Sequence, residues 1–508
     1  MKKHLVFIFC VLLCAGLLTG CWQAEPLEEE SPELLQPSEE PAEDSAHSLL
    51  PEHLSLPYAP DRSMDPVTCP DGMQQVVSSL LCEGLFRLGP DFEPQPWLCA
   101  SYTASDDFTS YTFVLREGVT FSDGSFLTAA DVKATLNRAR TSERYQARLA
   151  GITAISAGEG SVTVTLNAPN SGLPALLDVP ILKAGSEAAP IGTGPYLLSQ
   201  TESGAWLVAN QAWWKGAVQP TDRIALVEAA DQDTMLYRFT SRDVQLITAD
   251  LTGISSISIT GNVSYQDTDT TILQYIGCNV TRAPLDTPAF RRALGIAANR
   301  SRIVSAFLSG HGNPAQFPVS PSSPLYPTEL DRSYSRDDLT AALNLGSYTA
   351  GRTLTLLVNE ENSFKTSVAK YLAESLTSAG IAVSVKILPW EEYTAALAAG
   401  NFDLYYGEVR LSADWDLSPL LASGGTLNYG GWSNENTDRL LTVFSSTGDR
   451  TAAMNALCRH LQEQSPIIPV CFKSTSVLTQ TGVLENLVST AAEPFYGLTD
   501  CTVHLRNQ

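Results

Sequence analysis

Groups able to do chemistry are thinly spread along this chain. After the first twenty residues the histidines are His47, His53, His311, His460 and His504, no two of them three or four positions apart. No helix face therefore offers the paired imidazoles of a typical zinc or nickel site, and no metal or other cofactor is expected. No G-x-S-x-G or H-E-x-x-H motif occurs, which removes the commonest signatures of an exported hydrolase. Neighbouring acids such as Asp106/Asp107 and Glu391/Glu392 read as solvated faces. One short stretch differs: Glu408, Arg410, Asp414 and Trp415 fall together within eight residues. Charged and aromatic groups so gathered suit the holding of a polar guest, provided the fold turns them toward one.

The elements around that stretch decide the point. Leu354-Thr355-Leu356-Leu357-Val358 reads as a strand; Val368, Leu372, Leu376 and Ala379 mark a helix closed by Gly380; Ile381 to Ile387 is apolar at every second residue; a helix runs from about Glu391 to Gly400; Phe402-Asp403-Leu404-Tyr405 is a third strand. Strands joined by helical crossovers run parallel, and ligands on such open sheets sit beyond the strand C-termini. The residues after Tyr405 therefore face a site. Elsewhere, Tyr111, Phe113 and Leu115 alternate as a strand, Ser122-Asp123-Gly124 is a turn, and Thr128 with Asp131 makes a capping-box start for a helix to about Arg140. Val162, Val164 and Leu166 form another strand. Pro288 opens a helix whose apolar stripe is Phe290, Ala293, Leu294 and Ala297, and a second helical segment spans about Ser301 to Leu308.

The N-terminus speaks to location. Lys2 and Lys3 precede an apolar run from Leu5 to Leu18, too short to cross a hydrocarbon core of about 30 Å and of secretory-signal type. It ends in Leu18-Thr19-Gly20-Cys21, which resembles a lipobox; the alternative is an ordinary cleavage site that contains a cysteine. On the first reading residues 1–20 are a lipoprotein signal and Cys21 is diacylated, leaving the protein lipid-anchored to the cell membrane on its extracytoplasmic face. Residues 21–51 carry Glu25, Glu28, Glu29, Glu30, Glu33, Glu39, Glu40, Glu43 and Asp44 among prolines, without Lys or Arg. They read as a disordered acidic linker. Seven cysteines remain beyond Cys21, an odd number, so at least one thiol is free or shared between chains. None has CxxC spacing, and small buried hydrophobes with one or two disulfides are expected.

Composition sets the outer limits. The 508 residues imply about three structural units, at roughly 150 residues each. Fifty-five acidic against 32 basic residues leave a net charge of −23, and without a basic run nucleic acid is not an expected partner.

Several motifs, in order between Glu83 and Pro469, resemble one family. Glu83-Gly84-Leu85-Phe86, Tyr111 to Val119, Phe121-Ser122-Asp123-Gly124 and Leu127 to Val132 resemble the N-terminal signature of family 5 extracellular solute-binding proteins, the peptide- and nickel-type subunits of ABC importers. Pro190-Ile191-Gly192-Thr193-Gly194-Pro195-Tyr196, Asn279 with Pro284 and Arg291-Arg292-Ala293-Leu294, Asn428 to Asn434, and Pro466-Ile467-Ile468-Pro469 resemble later ones. The resemblance implies an α/β, two-lobed, periplasmic-binding-protein-like fold of type II with an interlobe ligand cleft. The N-terminal lobe would take residues 52–270 with an extra subdomain at about 70–189, the second lobe 271–474, and residues 475–508 would return to the first. The guest it implies is a small solute, an oligopeptide first, handed by a monomeric binding protein without enzymatic activity to an ABC permease in the membrane.

The resemblance also implies site residues. Asp414 lies where peptide binders carry the aspartate that receives the ligand's α-ammonium; its alternative role is to cap the helix near Pro419, a task Asp416 could equally perform. Trp390 precedes Asp403 at the spacing of a cleft tryptophan, and Trp415, Tyr406, Tyr275 and Tyr429 are further wall candidates, with core packing the competing reading for each. Asn279 and Asn428 either donate to ligand carbonyls or fix turns. In peptide binders of defined ligand length the helix after the tryptophan often holds Arg and His for the ligand carboxylate, but here it reads Ala395-Ala396-Leu397-Ala398-Ala399. Either Arg410 meets that terminus or the ligand is no short free acid. A sensor on the same fold, and an exported hydrolase, are the competing functions.

Overall fold

The computed structural model describes residues 50–202, 204–253, 259, 261–345 and 352–506. The apolar N-terminal run, Cys21 and nearly all of the acidic linker lie outside the described residues. Among the described residues no helix is long and apolar enough to cross a membrane.

One four-stranded sheet has the order Leu54–Tyr58, Arg223–Glu228, Gly204–Ala209, Tyr196–Thr201, with only the first pair parallel. Its core, built on Leu56, Leu80, Leu207 and Ile224, also takes in Phe495, Val503 and Leu505, so the segment around residues 495–505 packs with the strand Leu54–Tyr58. A second four-stranded sheet is antiparallel throughout: Cys99–Ala104, Ser110–Leu115, Ser161–Leu166, Ile152–Ala157. Tyr111, Phe113 and Leu115 point inward, and the helix Ala129–Ala139 contributes Val132 and Leu136 to the same core. That helix starts as its sequence requires: Thr128 accepts from the Asp131 N–H while Asp131 accepts from the Thr128 N–H, satisfying two orphan donors reciprocally.

Glu83 joins these two sheets' neighbourhoods. Its carboxylate accepts from the indoles of Trp97 at 2.8 Å, Trp213 at 3.1 Å and Trp214 at 2.7 Å, and from the Thr193 hydroxyl at 2.7 Å. Burial raises its pKa, and the four donors only partly oppose that. The flanking glycines of the 190–196 motif have a steric cause: a Cβ on Gly192 would lie 2.1 Å from the Leu81 carbonyl oxygen, and one on Gly194 2.5 Å from that of Leu80. Only glycine lets Thr193 reach Glu83 across the end of the helix Gly72–Leu81.

The seven-stranded sheet has the order Leu246–Ala249, Ile467–Gln480, Val263–Cys278, Leu404–Arg410, Leu354–Asn359, Val383–Leu388, with Gly312–Pro314 added on Ile467–Gln480. Leu354–Asn359 runs parallel to both Val383–Leu388 and Leu404–Arg410, and helices Ser363–Ser378 and Trp390–Ala398 make the crossovers. This is the β-α-β-α-β unit read from periodicity. Both faces of the sheet are covered, so adjacent residues go to different cores: Leu357 and Tyr405 to one, Leu356, Val358 and Tyr406 to the other. Helices Pro288–Ala297 and Arg300–Phe307 close the second core through Phe290, Leu294 and Ile303.

The fold is thus two-lobed, with both four-stranded sheets in one lobe and the parallel unit in the other. Two long strands, Val263–Cys278 and Ile467–Gln480, run antiparallel through both, and their register shifts between Asp269 and Leu273. Cys69, Cys82, Cys99, Cys278, Cys458, Cys471 and Cys501 are all buried and unpaired, so no disulfide forms among them and the expectation of one or two is corrected. Burial in apolar surroundings raises the pKa of the Cys82, Cys278, Cys458 and Cys471 thiols and keeps them unreactive.

Candidate ligand-binding cleft

A crevice of about 1510 Å³ opens between the lobes. Arg144, Asn170 and Asp178 line it from the first lobe, Arg410, Asp414 and Asp416 from the second, and Asp267 to Thr271 from the long strand between them. The strand Leu404–Arg410 delivers the second-lobe groups, and its continuation is pinned at once: the Leu411 N–H donates to the Thr271 carbonyl at 2.9 Å and the Thr271 hydroxyl to the Leu411 carbonyl at 2.6 Å. A turn follows, with Trp415 N–H donating to the Ser412 carbonyl and Trp415 at a φ of 56°.

Asp414 is buried and well supplied with donors. Its Oδ2 accepts from Asn170 Nδ2 of the other lobe at 2.8 Å; its Oδ1 accepts from the Ser412 hydroxyl at 2.5 Å and from the Asp416 N–H at 3.3 Å. A carboxylate takes about four such bonds, so roughly one place is open. Arg450 lies beside it, donating through Nη2 to the Asp414 carbonyl, while its Nε is a buried donor without a partner. Burial lowers the Arg450 pKa, and the Asp414 charge opposes this. Asn170 is itself fixed: its Oδ1 accepts from the Gly172 N–H at 2.8 Å and its carbonyl from the Tyr111 hydroxyl at 2.7 Å. Neither aspartate caps the helix Ser418–Leu421, whose N-cap position is Leu417; Asp416 closes a turn just ahead of it, its Oδ1 accepting from the Ser418 N–H at 2.9 Å.

Arg410 differs. Its backbone is in the ladder opposite Ile272, but among the described residues its guanidinium has no hydrogen bond, ion pair or ring contact. The side chain is exposed, but the crevice walls take water from its guanidinium and lower its pKa, with Glu408 and Asp250 acting against the shift and the charge of Arg144 adding to it. Those two acids are engaged elsewhere: Glu408 with Lys365 at 3.5 Å and Gln274 at 3.0 Å, Asp250 with Lys473 at 2.6 Å.

The remaining candidates are not brought to the crevice. Tyr406 is buried with its hydroxyl donating to Gln274 Oε1 at 2.7 Å, and Tyr275 is buried with its hydroxyl 3.2 Å from that of Tyr405. Tyr429 stands edge-on to Tyr405 inside the same core. Trp415 is 1% exposed, held edge-to-face between Phe92 of the other lobe at 5.3 Å and Phe472 at 5.8 Å. Trp390 has the opposite fate: it is 56% exposed, in the first turn of Trp390–Ala398, stacked only on Tyr393. Asn279 donates to the Gly400 and Phe402 carbonyls and accepts from Thr281. Asn428 donates to the Ala422 and Trp432 carbonyls and accepts from the Trp432 N–H. Both amides are spent on turns.

Residue type alone hid Arg144, Asn170 and Arg450. Asn170 had the best signal, since Asn167-Ala168-Pro169-Asn170-Ser171-Gly172 is a loop of turn-forming residues directly after a strand. One catalytic spacing escaped the sequence reading: Ser367 and Lys370 stand in Ser-x-x-Lys order. They sit on the exposed side of Ser363–Ser378, where the Ser367 hydroxyl donates to the Ser363 carbonyl at 2.8 Å, away from the crevice. Among the described residues no group of three or more His, Cys, Asp or Glu is placed to hold a metal ion.

Known proteins resemble this arrangement over most of its length. The glutathione-binding protein GsiB of Escherichia coli (strain K12) is 27% identical over 441 residues, covering 80% of this chain and 86% of its own. Among solved structures, the nickel ABC transporter protein of Bacillus halodurans has a TM-score of 0.76 at 21% identity, covering 89% of this chain and 100% of its own. The periplasmic murein tripeptide binding protein MppA, in an unliganded open form, has 0.75 at 20% identity, covering 89% and 98%. The family described as bacterial extracellular solute-binding proteins, family 5 (middle), matches residues 93–430. With its two lobes, shared crevice and these likenesses, the chain belongs to the family 5 bacterial extracellular solute-binding proteins.

Proposed function

We propose that the protein captures a peptide-like solute in the crevice and delivers it to an ABC permease, as a monomer anchored by a lipid on Cys21 and without chemistry of its own. The observation that carries this reading is the crevice itself. At about 1510 Å³ it exceeds the roughly 300–1,000 Å³ of ordinary small-molecule sites and suits an extended chain better than a compact metal chelate. Its walls supply both signs of charge, Asp414 on one side of the segment and Arg410 on the other. Asp414 is the counter-ion for the guest's ammonium, using the acceptor place its protein donors leave open. Relatives named for glutathione and for a murein tripeptide, both small peptides, support the ligand class.

Closure follows from the same strands that join the lobes. The register shift between Asp269 and Leu273 interrupts the ladder where residues 52–270 give way to residues 271–474, and it is the proposed hinge. Native mass spectrometry of gently purified protein, followed by calorimetry and small-angle scattering with peptide, sugar and metal panels, tests the reading. A retained or titrated peptide accompanied by compaction is expected. Binding confined to sugars or metals, or binding without compaction, sinks it.

A further inference from the structure

The helix that carries a carboxylate clamp in some peptide binders has none here, yet among the cations that line the crevice are two, one from each lobe, without an ion pair among the described residues. Arg410 comes from the second lobe and Arg144 from the first, and both line the same cavity. The Arg410 guanidinium has no partner among the described residues. Arg144 has only a 3.3 Å bond to the Pro66 carbonyl and the face of Tyr145 at 5.0 Å. The charged groups around them are already engaged. Glu408 is held by Lys365 and Gln274, Asp250 by Lys473, Asp178 by Arg148, Asp267 by His311 and Ser476, Asp269 by Asn313 and Ser322. Each guanidinium lies within the other's electrostatic reach. Two like charges on opposing walls resist the approach of those walls unless an anion lies between them.

We infer that Arg144 and Arg410 form an anion clamp split between the lobes, which takes a carboxylate of the ligand and makes that carboxylate a condition of closure. The inference rests on the proposed function and deepens it: the guest is a zwitterion, its ammonium toward Asp414 and its carboxylate between the two arginines. Guanidinium and carboxylate match geometrically, and each arginine has donors to spare. A ligand lacking the anion leaves the repulsion in place, so the pair selects against amides and esters as well as for free acids.

The full-length protein, with Arg144→Gln, Arg410→Gln and the double variant, is titrated with a pool of random tetrapeptides bearing free C-termini, with the same pool amidated, and with succinate and citrate. Both arginines are exposed, and unchanged melting temperatures check that the variants fold. A charge-assisted bond lost from each side predicts about tenfold to a hundredfold weaker binding of the free-acid pool per single variant. The double variant loses less than the product of the two, since one carboxylate serves both. The wild type prefers free acid to amide by a similar factor, the double variant has no preference, and compaction in scattering follows the free acid only. Amidated and free pools binding alike, or a preference that survives in the double variant, overturns the clamp while leaving peptide capture standing. Arginine-dependent binding of the di- and tricarboxylates with neither pool bound keeps the clamp and removes the peptide. No binding of any probe overturns both.

Discussion

Asp414 and Arg410 sit four residues apart on one segment and line one crevice, yet the protein treats them oppositely. Asp414 is enclosed by Asn170, Ser412, the Asp416 N–H and the neighbouring Arg450, and much of its capacity goes into holding one lobe's loop against the other. Arg410 reaches into the same space with its donors unspent. A charged side chain that is already bonded within the protein contributes to the scaffold whether or not a guest arrives. One left unpaired, with its solvation reduced, gains most from a guest of opposite sign. The contrast separates residues whose loss is felt in folding from residues whose loss is felt in binding.

Four substitutions test that separation, the largest effect first. Arg450→Ala removes the bond to the Asp414 carbonyl and one of the cations whose charge acts on the buried Asp414 carboxylate, and should cost about 3 kcal/mol of stability in urea denaturation. A cost near zero would mean that the Asp414 charge is balanced elsewhere. Asp414→Asn sets its amide NH2 either against Asn170 Nδ2, which cannot turn over without losing its bond from the Gly172 N–H, or, with the amide reversed, against the Asp416 N–H. About 2 kcal/mol of stability should be lost, within the range for an unsatisfied buried donor. Peptide affinity should fall by about 2 kcal/mol or more if the ammonium is enclosed there, and calorimetry at a temperature where the variant is folded separates the two effects.

Glu83→Gln sharpens the comparison from outside the crevice, because Glu83 is a buried carboxylate served by neutral donors alone. Gln offers one acceptor oxygen where four donors converge, and about 1–2 kcal/mol should be lost at pH 7. The pKa of Glu83 is raised by burial, so between its unfolded and folded values the native state binds more protons than the unfolded one. Stability from this group therefore grows as pH falls from neutrality through that window, and the wild type should pull further ahead of Glu83→Gln at pH 5 than at pH 7. A constant difference would place Glu83 in one protonation state throughout. Arg410→Gln is the smallest in folding: within about 0.5 kcal/mol of wild type in urea, as for an exposed side chain without partners. A larger loss would show that Arg410 is part of the scaffold after all.

Much of the frame was legible because it is local. Alternation at Val162 and Val164, the stripe Phe290, Ala293, Leu294 and Ala297, and the capping box at Thr128 each depend on neighbours a few residues away. The rule that parallel strands point their C-termini at ligands also led to Arg410 and Asp414. The aromatic wall was not legible, since Tyr405 and Tyr406 are both buried only because helices cover both faces of the sheet, which no single strand reveals. Asn279 and Asn428 satisfy backbone groups in their own vicinity, and composition does not distinguish that from reaching a guest. The partners that matter most to Asp414 are remote: Asn170 is 244 positions away and Arg450 is 36.

The strands Val263–Cys278 and Ile467–Gln480 bear on how the molecule would come apart. Because each threads both halves and the two are zipped to one another, the seven-stranded sheet is complete in neither half. Severing the gene at their midpoint would leave two fragments with raw, apolar strand edges, which aggregate instead of folding separately. Heat or force should therefore melt the body as a single cooperative event despite its two-part outline.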